Sequence, residues 1–361
     1  MKRLFPLFFM AFFGFSLLGQ SLPSWIANTK VKGDFRLREE YKDESGKVDR
    51  YRTRIRFRLG FLTAINQRVK IGFNFASGSG DPRSTNVTLG DSESKKEFNI
   101  DSVYFVYRVL DSLSIWGGKY TSIKHALFRP TDLLWDSDIT PEGVGFIYRK
   151  NLTDSTGFFL NGSYIALDEF KSSGADPFIY FVQPGLKVNL NNTVVKIGLA
   201  YYSGVHVKGN VFKYSSGTNT LENGVLKYDY KVFSPSFEAK WKVDGERVKF
   251  FKLFGEYANN TEVDDNDSGY EFGLGFGKKL KSRGDFEVKL NYRHLEKDAW
   301  LDIFPDSDAF SGKTGVKGEE IEVKYCLEKN VYLTVDVYNM KKISDTNHKQ
   351  KVVQFDLNFK F

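Results

Sequence analysis

Arg50, Arg52, Arg54, Arg56 and Arg58 occupy every second position of one stretch, and Tyr51, Ile55, Phe57, Leu59 and Phe61 stand among the alternate ones. A guanidinium is a permanent cation that only donates hydrogen bonds. The chemistry such a row offers is therefore electrostatic: it pairs with carboxylates or sets a field. In an extended chain successive side chains point to opposite faces. One face becomes apolar and aromatic, and the other carries like charges about 7 Å apart. A half-exposed strand of a soluble sheet is one reading. A wall between hydrocarbon and enclosed water fits better, because water hydrates the charges while lipid meets the rings.

A second segment carries the opposite charge. Thr131–Val144 contains Asp136, Asp138 and Glu142 together with Leu133, Leu134 and Trp135. Set against Arg52, Arg54, Arg56 and Arg58 across a narrow aqueous gap, these acids would create a transverse field that tunes ion preference. In an ordinary loop the same acids would be solvated or would cap turns.

Bond-making chemistry finds little support. The four histidines, His125, His206, His294 and His348, are scattered, and no GxSxG, HExxH or CxxC pattern occurs. No catalytic, cofactor-binding or metal-binding residue is assigned. Cys326 is the only cysteine, so no internal disulfide can form; it reads as a packing residue on a strand. The acidic groups Asp264, Asp265, Asn266, Asp267 and Asp306, Asp308 lack the spacing of a calcium loop. They read as solvated loop tips, with divalent bridging to lipopolysaccharide as the alternative. The net charge of +7 comes without a lysine or arginine run, so nucleic acid is not an expected partner.

Positioning these charges requires strands. Of the 361 residues only 41% are apolar, too few for a helical membrane protein. A strand wall needs only every second residue to be apolar. Residues 1–20 read as a secretory signal: Lys2 and Arg3, an apolar run from Leu4 to Leu18, then small residues. Residues 21–361 then alternate repeatedly. About sixteen strands follow, from Thr29–Tyr41 through the arginine strand to a last one in which Val353, Phe355, Leu357, Phe359 and Phe361 alternate with polar residues. Short connections such as Ile65–Arg68 and Asn191–Asn192 alternate with long ones, 77–96, 121–143, 203–230 and 295–318. The expected fold is all-β: a transmembrane antiparallel up-and-down barrel. Pro184 and Pro235 fall inside strands and are expected near rims or bulges. The faces of Ile100–Val109 and Leu113–Tyr120 are ambiguous.

The segment Thr131–Val144, the arginine strand, Gly117-Gly118-Lys119 and Pro305-Asp306-Ser307-Asp308 together resemble a family of porins of Gram-negative outer membranes. The resemblance covers essentially the whole mature chain. It implies a pore of about sixteen strands in the cell outer membrane, open to passive diffusion of ions and small hydrophilic solutes. By analogy with general porins, the third long loop would fold inward and narrow the lumen, and the barrel would form a homotrimer. The terminal aromatic strand ending at Phe361 resembles the signal read by the outer-membrane assembly machinery. Outer-membrane lipid and lipopolysaccharide would surround the wall. Two other readings remain: a barrel enzyme, against which the strand number argues, and a closed structural or adhesive surface barrel whose long loops carry the function.

Overall fold

The computed structural model describes residues 23–171 and 174–361. The expected signal segment 1–20 lies outside them. Among the described residues, sixteen long strands run in chain order: β1 Thr29–Glu44, β2 Arg50–Ala64, β3 Val69–Ser77, β4 Phe98–Leu110, β5 Leu113–Lys119, β6 Glu142–Asn151, β7 Thr156–Ala166 and β8 Phe178–Leu190. The second half comprises β9 Thr193–Val205, β10 Lys231–Lys242, β11 Phe250–Asn260, β12 Ser268–Gly277, β13 Phe286–Leu295, β14 Val316–Glu328, β15 Val331–Lys342 and β16 Lys349–Lys360. Each pairs antiparallel with its chain neighbours. β16 returns to β1 from Asp34↔Lys360 to Glu44↔Gln350, so the sheet closes and no edge is left. A two-residue strand, Val87–Thr88, adds to β2 opposite Ile55 and Arg54.

Closure sorts the alternating side chains. Phe57, Phe73, Phe105, Tyr180, Leu199, Phe251, Phe272, Ile321 and Phe355 face outward and are exposed. Arg36, Arg38, Glu40, Gln183, Glu256, Glu271, Arg293, Glu320 and Asp356 face inward and are buried. Polar inside and apolar outside is the reverse of a soluble sandwich, and it suits a wall standing in hydrocarbon.

The two prolines depart from expectation. Pro184 lies mid-way along β8 and Pro235 within β10, with no register shift at either. The ladder is interrupted instead. β8–β9 pairing skips from Gly185↔Gly198 to Val182↔Tyr201, and β10–β11 pairing skips from Phe233↔Asn259 to Ser236↔Glu256. Each proline lacks the N–H that a ladder bond would need, and the neighbouring inward side chains bond elsewhere. Gln183 exchanges two hydrogen bonds with the Phe128 backbone, and Ser234 donates to Glu256.

The ambiguity of β4 and β5 also has a physical cause, since both of their faces are apolar. Phe105 faces out, while Tyr104 and Trp116 pack inside against Tyr120, the Trp116 and Tyr120 rings stacking at 4.4 Å.

A candidate pore constriction

The connections 120–141, 206–230 and 296–315 fold over and into one side of the barrel. Their Ile123, Leu133, Leu134, Trp135, Trp300 and Phe304 join inward-facing Trp116, Ile179, Phe181 and Tyr202 in one buried cluster. Trp135 packs on Phe304, Trp300 and Tyr202 with ring centroids at 4.3, 5.4 and 6.1 Å. The interior is thereby divided. The half lined by β5–β9 carries the ring cluster, beside a cavity of about 590 Å³ bordered by Asp101, Lys119, Trp135, Glu142 and Ile165. The half lined by β1, β2 and β13–β16 keeps its charges and borders a cavity of about 250 Å³.

Polar bonds fix the loops to each other. The Asp302 carboxylate accepts from the Ser215 and Thr218 hydroxyls and from the Thr218 and Asn219 backbone N–H groups. The Arg83 guanidinium, buried in the connection between β3 and β4, donates to the carbonyls of Asp302 (2.9 Å) and Tyr214 (3.1 Å) and to Ser216 Oγ (3.0 Å).

The arginine ladder points inward, but most of its charge is met within the wall. β1 carries Asp34, Arg36, Arg38 and Glu40 on its inner face, and the β1–β2 register sets Asp34 beside Arg58 and Glu40 beside Arg52. Arg56 and Arg58 share Asp34 at 3.0 and 2.8 Å. Arg52 and Arg54 share Glu40. Arg38 makes a two-pronged contact with Asp356 of β16, at 2.6 and 2.8 Å, and Arg36 reaches the same carboxylate at 3.3 Å. Alternation by itself does not single out Asp34, Glu40 and Asp356. The signal for them is the Asp34-x-Arg36-x-Arg38-x-Glu40 spacing taken together with the hairpin register.

The three loop acids go to three different places. Asp138 bonds Arg58 directly at 3.3 Å and accepts from the Thr85 hydroxyl at 3.2 Å. Burial alone would raise its carboxyl; Arg58, Arg56 and Arg36 outweigh that and hold it below the usual range. Asp136 makes no ion pair with an arginine among the described residues. Its oxygens accept the backbone N–H groups of Asp138 and Ser307, both at 2.8 Å, tying two loops together. Burial, with Asp138 and Asp306 nearby, pushes its carboxyl well above the usual range. Glu142 opens β6, is 63% exposed at its side chain and takes Lys119 Nζ at 2.8 Å.

Asp306 and Asp308 correct the reading as solvated loop tips. Asp308 bonds Arg38 at 3.1 Å, and Asp306 lies 3.5 Å from Arg293. Burial works against the ionised Asp308, but Arg38, Arg54 and Arg36 bring its carboxyl down to about 2. Asp264 and Asp265 stay exposed, and among the described residues no cluster of His, Cys, Asp or Glu is arranged to hold a metal. The histidines are spread out: His294 stacks on Tyr270, His348 lies 3.5 Å from Glu44, and His206 contacts the Asp176 carbonyl. Cys326 is buried at a bulge of β14, with its thiol on the Glu328 carbonyl at 3.2 Å.

A family model described as putative porin matches residues 43–242 and 228–361. The chain belongs to this porin family. Solved porin structures share the fold at low identity. OprB of Pseudomonas putida superposes with a TM-score of 0.62 at 12% identity, over 93% of this chain and 95% of that one. OmpF of Salmonella typhi gives 0.56 at 12%, over 92% and 97%. The outer-membrane channel DcaP of Acinetobacter baumannii gives 0.53 at 13%, over 92% and 97%. No curated protein matches the chain. The porin is thus a closed outer-membrane barrel, and its activity is passive diffusion through the lumen.

Proposed function

We propose that this porin passes ions and small hydrophilic solutes through a charged eyelet formed by β1, β2, β13–β16 and the inward loops. Arg52, Arg54, Arg56 and Arg58 line one side together with Asp138, and Glu142 lies with Lys119 towards the loop side. The observation that carries this reading is the Arg58–Asp138 contact, where a wall cation and a loop carboxylate meet beside the 250 Å³ cavity. Opposed charges in a confined column of water orient dipolar solutes and favour polar over apolar ones. Asp136 borders the same cavity and also ties two loops together through the Asp138 and Ser307 backbone.

The chain is exported by its N-terminal segment, inserted through recognition of the strand that ends at Phe361, and surrounded by lipid and lipopolysaccharide as a homotrimer. The porin fold and the exposed aromatic outer face support this. Reconstitution into planar bilayers is the direct test. Discrete conductance steps, with swelling of liposomes in small sugars, are the expected result. A barrel that seals the bilayer would instead favour a closed surface protein.

A further inference from the structure

The inner wall can be followed residue by residue across six strands. One row reads Lys289, Glu322, Asp336, Gln354, Glu40, Arg52, each directly opposite the next. Five of these six groups find partners. Arg52 bonds Glu40, and Gln354 gives its amide N–H to Glu40 at 3.4 Å. Glu322 takes Lys324 at 2.7 Å, and Lys289 turns to Glu320 at 2.5 Å.

Asp336 is left over. Its carboxylate has no hydrogen bond and no ion pair among the described residues, and it is only 8% exposed. It nevertheless lines the 250 Å³ cavity, with Glu320, Glu322 and Tyr338 on the same side. Gln354 cannot help it. Its amide nitrogen reaches Glu40 and makes no hydrogen bond to Asp336 among the described residues, and its Oε1 is also without a partner. Two adjacent buried acceptors therefore lack a donor, one of them an acid set beside another acid. Leaving such groups unmatched in the folded protein is unfavourable. The two cations of this row, Lys289 and Arg52, pair with Glu320 and Glu40 and leave Asp336 without an ion pair.

We infer that Asp336, with Glu320 and Glu322 beside it on the cavity wall, forms a transit site for the ammonium group of a small organic solute. An ammonium is compact, carries only donors and has three of them. It matches the one carboxylate left over once Lys289 and Lys324 have paired with Glu320 and Glu322 on the same wall. A phosphate or carboxylate would meet the arginines across the cavity, but these already hold Asp34, Asp356, Asp138 and Asp308. The site rests on the channel reading above and adds to it a preference for cations, opposite to what five aligned arginines suggest.

The test uses the purified porin in planar bilayers, with n-butylammonium chloride as the probe and sodium butyrate as its anionic counterpart. Butylammonium should block or slow the open channel at least tenfold more strongly than butyrate. Asp336→Asn should weaken that block by at least tenfold and lower cation over anion permeability. Equal block by the two probes in the wild type overturns the site without any variant, as does unchanged butylammonium block in the asparagine variant. Wild-type protein that gives no conductance at all removes the channel reading, and this site with it.

Discussion

At the residue scale, the arginines act in pairs, each pair sharing one carboxylate. Removing one guanidinium leaves its neighbour to satisfy the acid, so single changes should be mild. Arg54→Gln with Arg56→Gln strips one cation from Glu40 and one from Asp34 at once. The expected outcome is a shift in reversal potential towards cations, by a permeability factor of about 5, since charges in a wet lumen are worth roughly 1 kcal/mol. An unchanged reversal potential would take these two residues out of the constriction.

Acid also acts on single residues. Asp308 has its carboxyl held at about 2 in the folded protein, below the usual carboxylate value. Its contribution to stability is therefore complete above the unfolded value of about 3.9 and is lost as pH falls through it towards 2. Asp138, also lowered, behaves in the same sense. The share of the thermal midpoint that Asp308 supplies, read in detergent as wild type minus Asp308→Asn, should be steady above about pH 5 and fall between about 4 and 2.

At the scale of elements, alternation makes the strands legible, because a wall between lipid and water forces a period of two. Val353 to Phe361 can be read with no further context. The pattern weakens where the inner face is not wet. β4 and β5 look two-sided because their lumen side supports the ring cluster around Trp135, and no local pattern announces that a loop will cover a strand. For the same reason Asp306 and Asp308 look like a solvated tip. Their partners, Arg293 and Arg38, lie on β13 and on the distant β1, and only barrel closure brings Arg38 near. Asp302 offers a test of the loop assembly. Asp302→Ala leaves the Ser215, Thr218 and Asn219 donors unmatched, a loss of about 2–4 kcal/mol to the local fold. Connection 206–230 should then be cut by added protease in proteoliposomes, while the wild type resists.

At the scale of the whole molecule, the seam between the first and last strands completes the fold. Gly33 and Phe361 exchange backbone hydrogen bonds at 2.8 and 3.0 Å. A side chain on Gly33 would collide with the Phe361 ring and fall 2.8 Å from the Arg58 carbonyl. Gly33→Val should therefore slow closure and reduce the folded, heat-modifiable fraction on gels, while Gly90→Ala, in open space though at a φ of 89°, should show a far smaller effect. The number of strands and their order follow from alternation and connection lengths alone. Which charges remain unmatched does not, because that depends on register around the complete circumference.

The bonds that Arg83 makes to Asp302 and Tyr214 span more than a hundred residues of sequence. They can form only after most of the polypeptide has been threaded. A half-inserted chain would be a leak of undefined bore, and the cell is spared that hazard only if the nascent cylinder stays sheltered until its final strand arrives. Permeability in this porin should therefore switch on in a single event late in biogenesis.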